Sequence, residues 1–235
     1  MDRKLKSMYY YFSKGEKMLW CVSVLFVIVS FMAFDKGNYL ALAASLVGVT
    51  SLIFNAKGNP SGSFLMVVFS LLYGIISYTF AYYGEMITYL GMTAPMSVFA
   101  LVSWLKNPHS GDKAEVRIAS IKGKEVAFMA IIAAVVTCVF YYILKAFNTA
   151  NLMLSTVSVT TSFLAVYLTY KRSKFFAVAY AANDIILIVL WTLAALSDIS
   201  YVPVITCFAL FLINDMYTFI NWTKMEKRQN MEQAA

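Results

Sequence analysis

Charged residues are scarce in this chain. Only 13% of its 235 residues are charged, 61% are hydrophobic, and the mean hydropathy is +0.70. Soluble domains carry about twice that charged fraction, so the composition excludes a sizeable soluble domain. It predicts a single polytopic membrane domain over residues 1–235, with the lipid bilayer as its surroundings.

Residues that commonly carry catalysis or bind metals are scarce as well. The single histidine, His109, lies in a loop beside a proline, where we predict a solvated residue rather than a catalyst. Cys21, Cys138 and Cys207 lie in apolar runs without the spacing of metal ligands, which argues against a disulfide framework. Nucleotide-binding loops, nucleophile elbows and zinc-protease motifs are absent from the sequence. We therefore predict no enzyme, no cofactor and no metal site.

Long apolar runs are abundant, and each can cross a bilayer as a helix. Eight of them, here called spans one to eight, cover residues 18–34, 39–56, 63–83, 86–105, 126–146, 151–170, 175–196 and 200–222. The breaks between them hold the glycine, proline, asparagine or charged residues expected of turns. No small-residue cleavage site follows the first run, so we interpret it as a retained span rather than a signal peptide.

The basic residues are distributed unevenly about these spans. With eight spans, 17 of the 19 lysines and arginines fall on the side that holds both termini and the loops after spans two, four and six. Only Lys36 and Lys145 fall on the other side. The positive-inside rule then places both termini and the 106–124 loop in the cytoplasm. The same distribution accounts for the net charge of +7 without a nucleic-acid partner.

Spans two to four and spans six to eight resemble each other. Trp104 ends span four and is followed by Leu-Lys, while Trp222 ends span eight and is followed by Thr-Lys. Lys57-Gly58 after span two likewise corresponds to Lys171-Arg172 after span six. This predicts two parallel repeats, 39–105 and 151–222, joined by a linker helix over 126–146 and preceded by an extra helix over 18–34. Repeats of this kind are typical of transporters whose substrate binds between them near the midplane.

Polar residues inside the spans indicate where that substrate binds. Asn183 and Asp184 lie side by side in the seventh span, at a depth where an unpaired amide or charge costs several kcal/mol. Helical spacing places Tyr180 and Trp191 on the same stripe. We favour a stripe that faces substrate, while an interhelical polar staple is the alternative.

Two further spans contribute polar stripes. Asn214 and Tyr217 lie three residues apart on the eighth span, where Asp215 is the other deeply placed carboxylate. On the fourth span Tyr89, Thr93 and Ser97 recur every four residues, next to Pro95, which frees a carbonyl where the helix can bend. We predict ten substrate-binding residues, namely Asn183, Asp184, Asn214, Tyr217, Trp191, Tyr180, Ser97, Tyr89, Tyr73 and Thr93.

Three ordered elements resemble those of a known family. They are Lys57-Gly58 through Leu72-Tyr73-Gly74, Tyr83-Gly84-Glu85-Met86 and Pro95-Met96 to Trp104; then Tyr180 to Trp191; then Leu212 to Trp222. Over spans two to eight the chain resembles the PnuC family of bacterial nicotinamide riboside transporters. It departs from the family at Ser97, where glutamine is common, and at Tyr89 and Ser70, where asparagine occurs. Ala100 and Thr218 replace glycines of the family.

The resemblance implies a fold, a function and a location. The fold would be a 3+1+3 arrangement similar to the SWEET sugar transporters but oppositely oriented, here with an additional N-terminal helix. The function would be uptake of nicotinamide riboside, an unphosphorylated vitamin precursor, by facilitated diffusion across the bacterial inner membrane. A cytoplasmic kinase would trap the substrate by phosphorylation. The resemblance also implies a homo-oligomer, with a trimer as the assembly to test.

Two alternatives stay open on the sequence. Relatives associated with thiamine or riboflavin make these vitamins, or another nucleoside, candidate cargoes, with Asp184 or Asp215 carrying a coupling proton. A membrane receptor or scaffold that binds its partner through the 106–124 loop is the alternative from a different class.

Overall fold

The computed structural model of the chain describes residues 11–79 and 82–234. Residues 1–10 of the basic N-terminal segment and residues 80–81 of the third predicted span lie outside the described residues. The helices are α1 (Lys14–Phe34), α2 (Tyr39–Ala56), α3 (Pro60–Thr79), α4 (Tyr83–Lys106), α5 (Gly123–Ala146), α6 (Leu152–Tyr170), α7 (Phe176–Ala195) and α8 (Val202–Ala234). Within the described ranges these eight are long and apolar enough to cross a membrane. The predicted all-α integral membrane fold with eight spans is confirmed.

Local sequence signals fix the helix ends. The Ser13 side chain accepts a hydrogen bond from Glu16 N, and the Glu16 carboxylate accepts one from Ser13 N, which is a capping box at the start of α1. Asn38 caps α2 in the simpler way, by accepting from Ala41 N. Between α2 and α3, Gly58 adopts a φ of +66°, where a side chain would be strained and would also press on Met225 and Val116.

The loop after α4 folds back against the bundle. Its strands β1 (Pro108–His109) and β2 (Asp112–Val116) form an antiparallel hairpin, and Val116 is fully buried. Helix α8 ends at Ala234 instead of the predicted 222, and its extension lies against the hairpin. Gln229 holds the two together: its Oε1 accepts from Ile118 N, while its Nε2 donates to Glu115 Oε1 and Val116 O. We call the end of the bundle that carries this structure the hairpin end.

The prediction for His109 is wrong. The side chain is buried rather than solvated, and its Nε2 lies 2.7 Å from Glu232 Oε2. The burial follows from the length of α8, because this helix continues past the predicted span and brings Glu232 to the hairpin.

Six helices form a closed ring. In order around it they are α2, α3, α4, α6, α7 and α8, and α8 returns to α2. Helix α1 lies outside the ring against α2 and α8, and α5 lies outside it against α6 and the start of α4. The two predicted repeats therefore meet at two interfaces, α4 with α6 and α8 with α2.

The two interfaces carry matching hydrogen bonds at the hairpin end. In each, neighbouring side chains near the end of one repeat's third helix donate to successive carbonyls at the end of the other repeat's first helix. The bonds are Ser103 Oγ to Tyr170 O (2.8 Å), Trp104 Nε1 to Thr169 O (2.8 Å), Asn221 Nδ2 to Ala56 O (2.7 Å) and Trp222 Nε1 to Asn55 O (2.8 Å). The Trp104 and Trp222 rings lie 5.4 Å apart between centroids, and both are fully buried. These bonds support the predicted repeat, and the 3+1+3 division stays a prediction.

Helix α4 is interrupted where Pro95 predicted a distortion. Residues Tyr89–Thr93 form a π-helical turn, between α-helical segments Tyr83–Thr88 and Ala94–Lys106. Ala94 N donates to Tyr89 O, and Thr93 Oγ1 donates to Thr88 O, both five residues back. Single π turns occur often at functional sites, and this one turns Tyr89 and Thr93 into the ring.

Candidate functional site

A small polar cavity lies at the centre of the six-helix ring. It is lined by Leu52, Met66, Phe69, Tyr89, Thr93, Ser162, Tyr180, Asn183, Asp184, Phe208, Phe211 and Asp215. The volume of this cavity is about 20 Å³, which is enough for on the order of one water molecule. Five of the ten predicted residues meet here: Tyr89, Thr93, Tyr180, Asn183 and Asp184.

Asn183 is tied to α6 and faces the cavity. Its Oδ1 accepts hydrogen bonds from three hydroxyls of that helix, those of Ser158 (3.4 Å), Thr161 (2.8 Å) and Ser162 (3.0 Å). The hydroxyl-rich face of α6 thus fixes the orientation of the amide. With the carbonyl oxygen occupied, the Nδ2 group is the part of Asn183 that can donate to a ligand.

Two carboxyl groups lie beside this amide. Asp184 on α7 and Asp215 on α8 are each only 2% exposed, and both line this cavity. Asp184 Oδ2 and Asp215 Oδ1 are buried without a hydrogen-bond partner among the described residues. No lysine, arginine or histidine is among the residues that line the cavity.

Aromatic rings surround the cavity on the side away from the hairpin. Tyr73 lies 4.4 Å from Tyr89 and 6.2 Å from Trp191 between ring centroids. Trp191 in turn packs on Tyr82 at 4.8 Å and on Tyr201 at 5.4 Å. Tyr73 and Trp191 are therefore behind the cavity wall, and this aromatic group separates the cavity from the far end of the bundle.

Ser97 lies on the opposite side, nearer the hairpin end. It lines a second, smaller cavity together with Asn55, Ser63, Thr169 and Tyr180. Tyr180 and Met66 line both cavities, so the two cavities are neighbours. Beyond the second cavity, Trp104, Trp222 and Phe176 form a buried aromatic layer that closes the hairpin end.

The structure does not bring Asn214 and Tyr217 to either cavity. Asn214 Nδ2 donates to Ser23 Oγ on α1 (3.2 Å) and to Leu210 O (2.8 Å). Tyr217 Oη donates to Glu16 Oε1 on α1 (3.0 Å). Both residues lie on the face of α8 that packs against α1, where they act as the interhelical staples that were the alternative for Asn183 and Asp184.

Sequence reasoning left several cavity residues out of the predicted set. Asp215 lies deep in the eighth span, but the predicted set contains its neighbour Asn214 instead. Three phenylalanines of the cavity could not be told from other apolar residues of their spans, namely Phe69, Phe208 and Phe211. Glu85 is also buried at 2% exposure, with Oε2 unpaired among the described residues, although it lies in a predicted break between spans.

Comparisons with known proteins identify relatives of this chain. Residues 38–224 match the family described as nicotinamide mononucleotide transporter. The nicotinamide riboside transporter PnuC of Neisseria mucosa is 28% identical over 216 residues, which are 90% of this chain and 82% of that protein. The protein of the same description from Haemophilus influenzae is 24% identical over 220 residues, 92% of this chain and 93% of that one.

A solved structure also matches. The crystal structure of the vitamin B3 transporter PnuC superposes with a TM-score of 0.80 at 25% identity. The match covers 93% of this chain and 94% of that one.

Proposed function

This chain belongs to the nicotinamide mononucleotide transporter family, as its three PnuC-like elements predicted, and we propose that it takes up nicotinamide riboside by facilitated diffusion. Membership makes it a multi-pass transporter of the bacterial inner membrane rather than an enzyme. The observation that carries the proposal is the central cavity, where the Asn183 amide, two carboxyl groups and aromatic rings face one another between the two predicted repeats. Hydrogen-bonding groups of this kind suit a ribose and a carboxamide, and the rings suit a pyridine.

The charges of the cavity favour the riboside over the mononucleotide named in the family description. A phosphate that leaves water needs positive charge or several donors to replace its hydration, and no lysine, arginine or histidine lines the cavity. The carboxyl groups of Asp184 and Asp215 would repel it. Phosphorylation inside the cell would therefore keep the product from returning, which is the trapping step of the proposal.

The energetics follow from what the sequence contains. The chain has no nucleotide-binding motif, so the substrate gradient alone would drive transport and uptake would stop when the two sides are equal. The cavity is also too small for a nucleoside in this conformation, and aromatic layers lie on both sides of it. Binding would therefore require the two repeats to separate, as transporters with alternating access do.

Uptake by purified protein in proteoliposomes tests the proposal. We expect radiolabelled nicotinamide riboside to enter until its inside concentration equals that outside, and unlabelled riboside to compete with it. Unlabelled mononucleotide, thiamine and riboflavin serve as competitors of the alternative classes. Accumulation above the outside concentration in the absence of a kinase would reveal coupling. Competition by thiamine or riboflavin alone would reassign the substrate.

A further inference from the structure

The Asp184 and Asp215 side chains form a pair whose negative charge is not needed for hydrogen bonding to a ribose or a carboxamide. They come from neighbouring helices of the ring, α7 and α8, and meet at the cavity wall. Two buried carboxyl groups on the wall of one small cavity share at least one proton, because two adjacent negative charges in a poorly solvated site repel each other. The pair therefore holds one negative charge or none.

The rest of the cavity does not compensate that charge. The titratable side chains facing the pair are Tyr180 on α7, Tyr89 on α4 and Cys207 on α8. Glu85 faces Tyr89 from further away on α4. Phenols, thiols and carboxyl groups are neutral when protonated and negative when ionised, so none of these neighbours supplies a positive charge. The contributions from α2 and α3 are apolar, namely Leu52, Met66 and Phe69.

Two oxygens of the pair are left without partners. Asp184 Oδ2 and Asp215 Oδ1 make no hydrogen bond to any described residue, although both are buried. An unsatisfied buried acceptor is costly, and native structures rarely keep one without a ligand, ion or water to satisfy it. Asn183, on the same wall, offers its Nδ2 group to the same space.

Aromatic faces complete a site for a flat cation. Phe69, Phe208, Phe211 and Tyr89 line the cavity with the pair. Aromatic faces attract cations, and the attraction grows when water is excluded. The nicotinamide ring of the riboside is a pyridinium, which carries a permanent positive charge on a planar ring.

We propose that Asp184 and Asp215 form a one-proton carboxyl pair that selects the positive charge of the pyridinium ring, so that a second proton competes with the substrate. This rests on the proposed function, and it assigns to that site a charge selectivity that hydrogen bonding to the ribose and carboxamide does not provide. The cation neutralises the singly charged pair. When the pH falls and the pair takes up its second proton, the charge is lost and the affinity for the cation falls with it.

Binding to purified protein tests this, with nicotinamide riboside and its neutral dihydro form as a matched pair of ligands. At about pH 8 we expect the cation to bind the native protein at least about tenfold more tightly than the neutral form, since close charge pairs in desolvated sites contribute that much or more. The affinity for the cation should decrease between about pH 8 and about pH 5.5, by at most about tenfold per unit for one proton.

Substitutions of Asp184 and Asp215 provide the second part of the test. In the double variant Asp184→Asn/Asp215→Asn both ligands should bind about equally and the pH dependence should disappear, while binding of the neutral form shows that the protein is folded. Asp198→Asn is the control, because Asp198 is a surface carboxylate in the α7–α8 loop, where hydrogen bonds from Ser200 hold the pKa of its carboxyl below the usual range. It should leave both selectivity and pH profile unchanged.

The outcomes separate this proposal from the one it rests on. If native protein binds cation and neutral form equally, or the double variant keeps native selectivity, the pair does not recognise charge, and the transport proposal stands. If native protein binds neither ligand, the proposed function itself fails and the pair's role falls with it. Should the double variant not fold, the single variants decide: each keeps one carboxyl group at the cavity wall, and an unshifted pH profile in both contradicts the proposal.

Discussion

Asn183 and Asn214 show how one residue type takes two roles in the same fold. Asn183 is oriented by three α6 hydroxyls and faces the cavity, whereas Asn214 bonds to Ser23 on α1. Each follows the same sequence pattern, an asparagine before an aspartate inside an apolar span. The difference is set by which neighbour each helix face meets.

Asn183→Ala should reduce nicotinamide riboside uptake about tenfold, because it removes the donor to the substrate and takes the shared acceptor away from the Ser158 and Ser162 hydroxyls. Asn214→Ala is the matched control. It should weaken the packing of α1 and lower the unfolding temperature in detergent, with uptake per folded molecule close to that of the native protein. Uptake normalised to folded protein distinguishes the two. Equal losses in both variants would contradict the separation of roles.

Ser97→Gln tests the second cavity. A glutamine restores the residue common in the family and extends an amide from α4 past Tyr180 toward the central cavity. We expect tighter binding of nicotinamide riboside by about 0.5–1.5 kcal/mol if the added amide finds a partner on the substrate. Ser103→Gln, at the end of the same helix beyond the cavity, is the control. Unchanged competition curves for riboside, thiamine and riboflavin in the Ser97 variant would remove this position from the specificity determinants.

The hairpin and the extension of α8 pack against each other at the hairpin end of the bundle. They close one end of the bundle. The backbone of residues 116–119 also bonds to both predicted repeats, because Val116 N donates to Gly58 O and Ala119 N donates to Arg172 O. If the bundle opens at this end, residues 116–119 have to move or their hydrogen bonds to the two repeats have to break. Gln229 contributes three of the hydrogen bonds that join α8 to residues 115–118, and His109 with Glu232 contributes another contact between the hairpin and α8.

Gln229→Ala should loosen the hairpin. It removes three hydrogen bonds and leaves Ile118 N and Val116 O unpaired at a buried position, at a cost of about 1–3 kcal/mol per group left unsatisfied. Limited proteolysis within residues 107–121 should become faster. Gln233→Ala is the matched control, since Gln233 is exposed and its bond from Arg117 is long, at 3.4 Å. Identical cleavage rates in the two variants would show that Gln229 does not hold the hairpin.

The sequence predicted most of the helices but only about half of the cavity residues, because the two depend on different physical causes. Membrane thickness sets the length of every span, and Gly58, Ser13 and Asn38 set local ends, so α1 to α7 fall close to their predicted ranges. The face that a helix turns inward depends on its neighbours. The helical stripe of Asn214 and Tyr217 was correct as a stripe, but it meets α1, and the adjacent Asp215 turns to the cavity. The extension of α8 was missed because polar residues after 222 end the apolar signal without ending the helix.

At the scale of the whole molecule, the contacts repeat more completely than the sequence does. The ion pairs Glu16–Lys57 (3.7 Å) and Glu125–Lys171 (3.3 Å) join α1 to the end of α2 and α5 to the end of α6. Both glutamates are the third residue of their helix, and each accepts a hydrogen bond from the backbone at the helix start. Helices α1 and α5 therefore occupy corresponding positions, which extends the correspondence of the two halves beyond the three helices of each predicted repeat.

The orientation of the molecule in the membrane is the prediction on which the direction of uptake depends. By sequence, 17 of the 19 basic residues fall in the termini and in the loops after spans two, four and six, and moving that charge across an inner membrane during insertion is unfavourable. In a chain with its three native cysteines replaced by serine, Lys36→Cys and Lys113→Cys place one thiol at each end, both at exposed positions. A membrane-impermeant maleimide applied to intact cells should label position 36 and leave position 113 unmodified until the cells are lysed. Labelling of position 113 in intact cells would invert the topology, and the layer of Trp104 and Trp222 would then close the outer side of the transporter instead of the inner one.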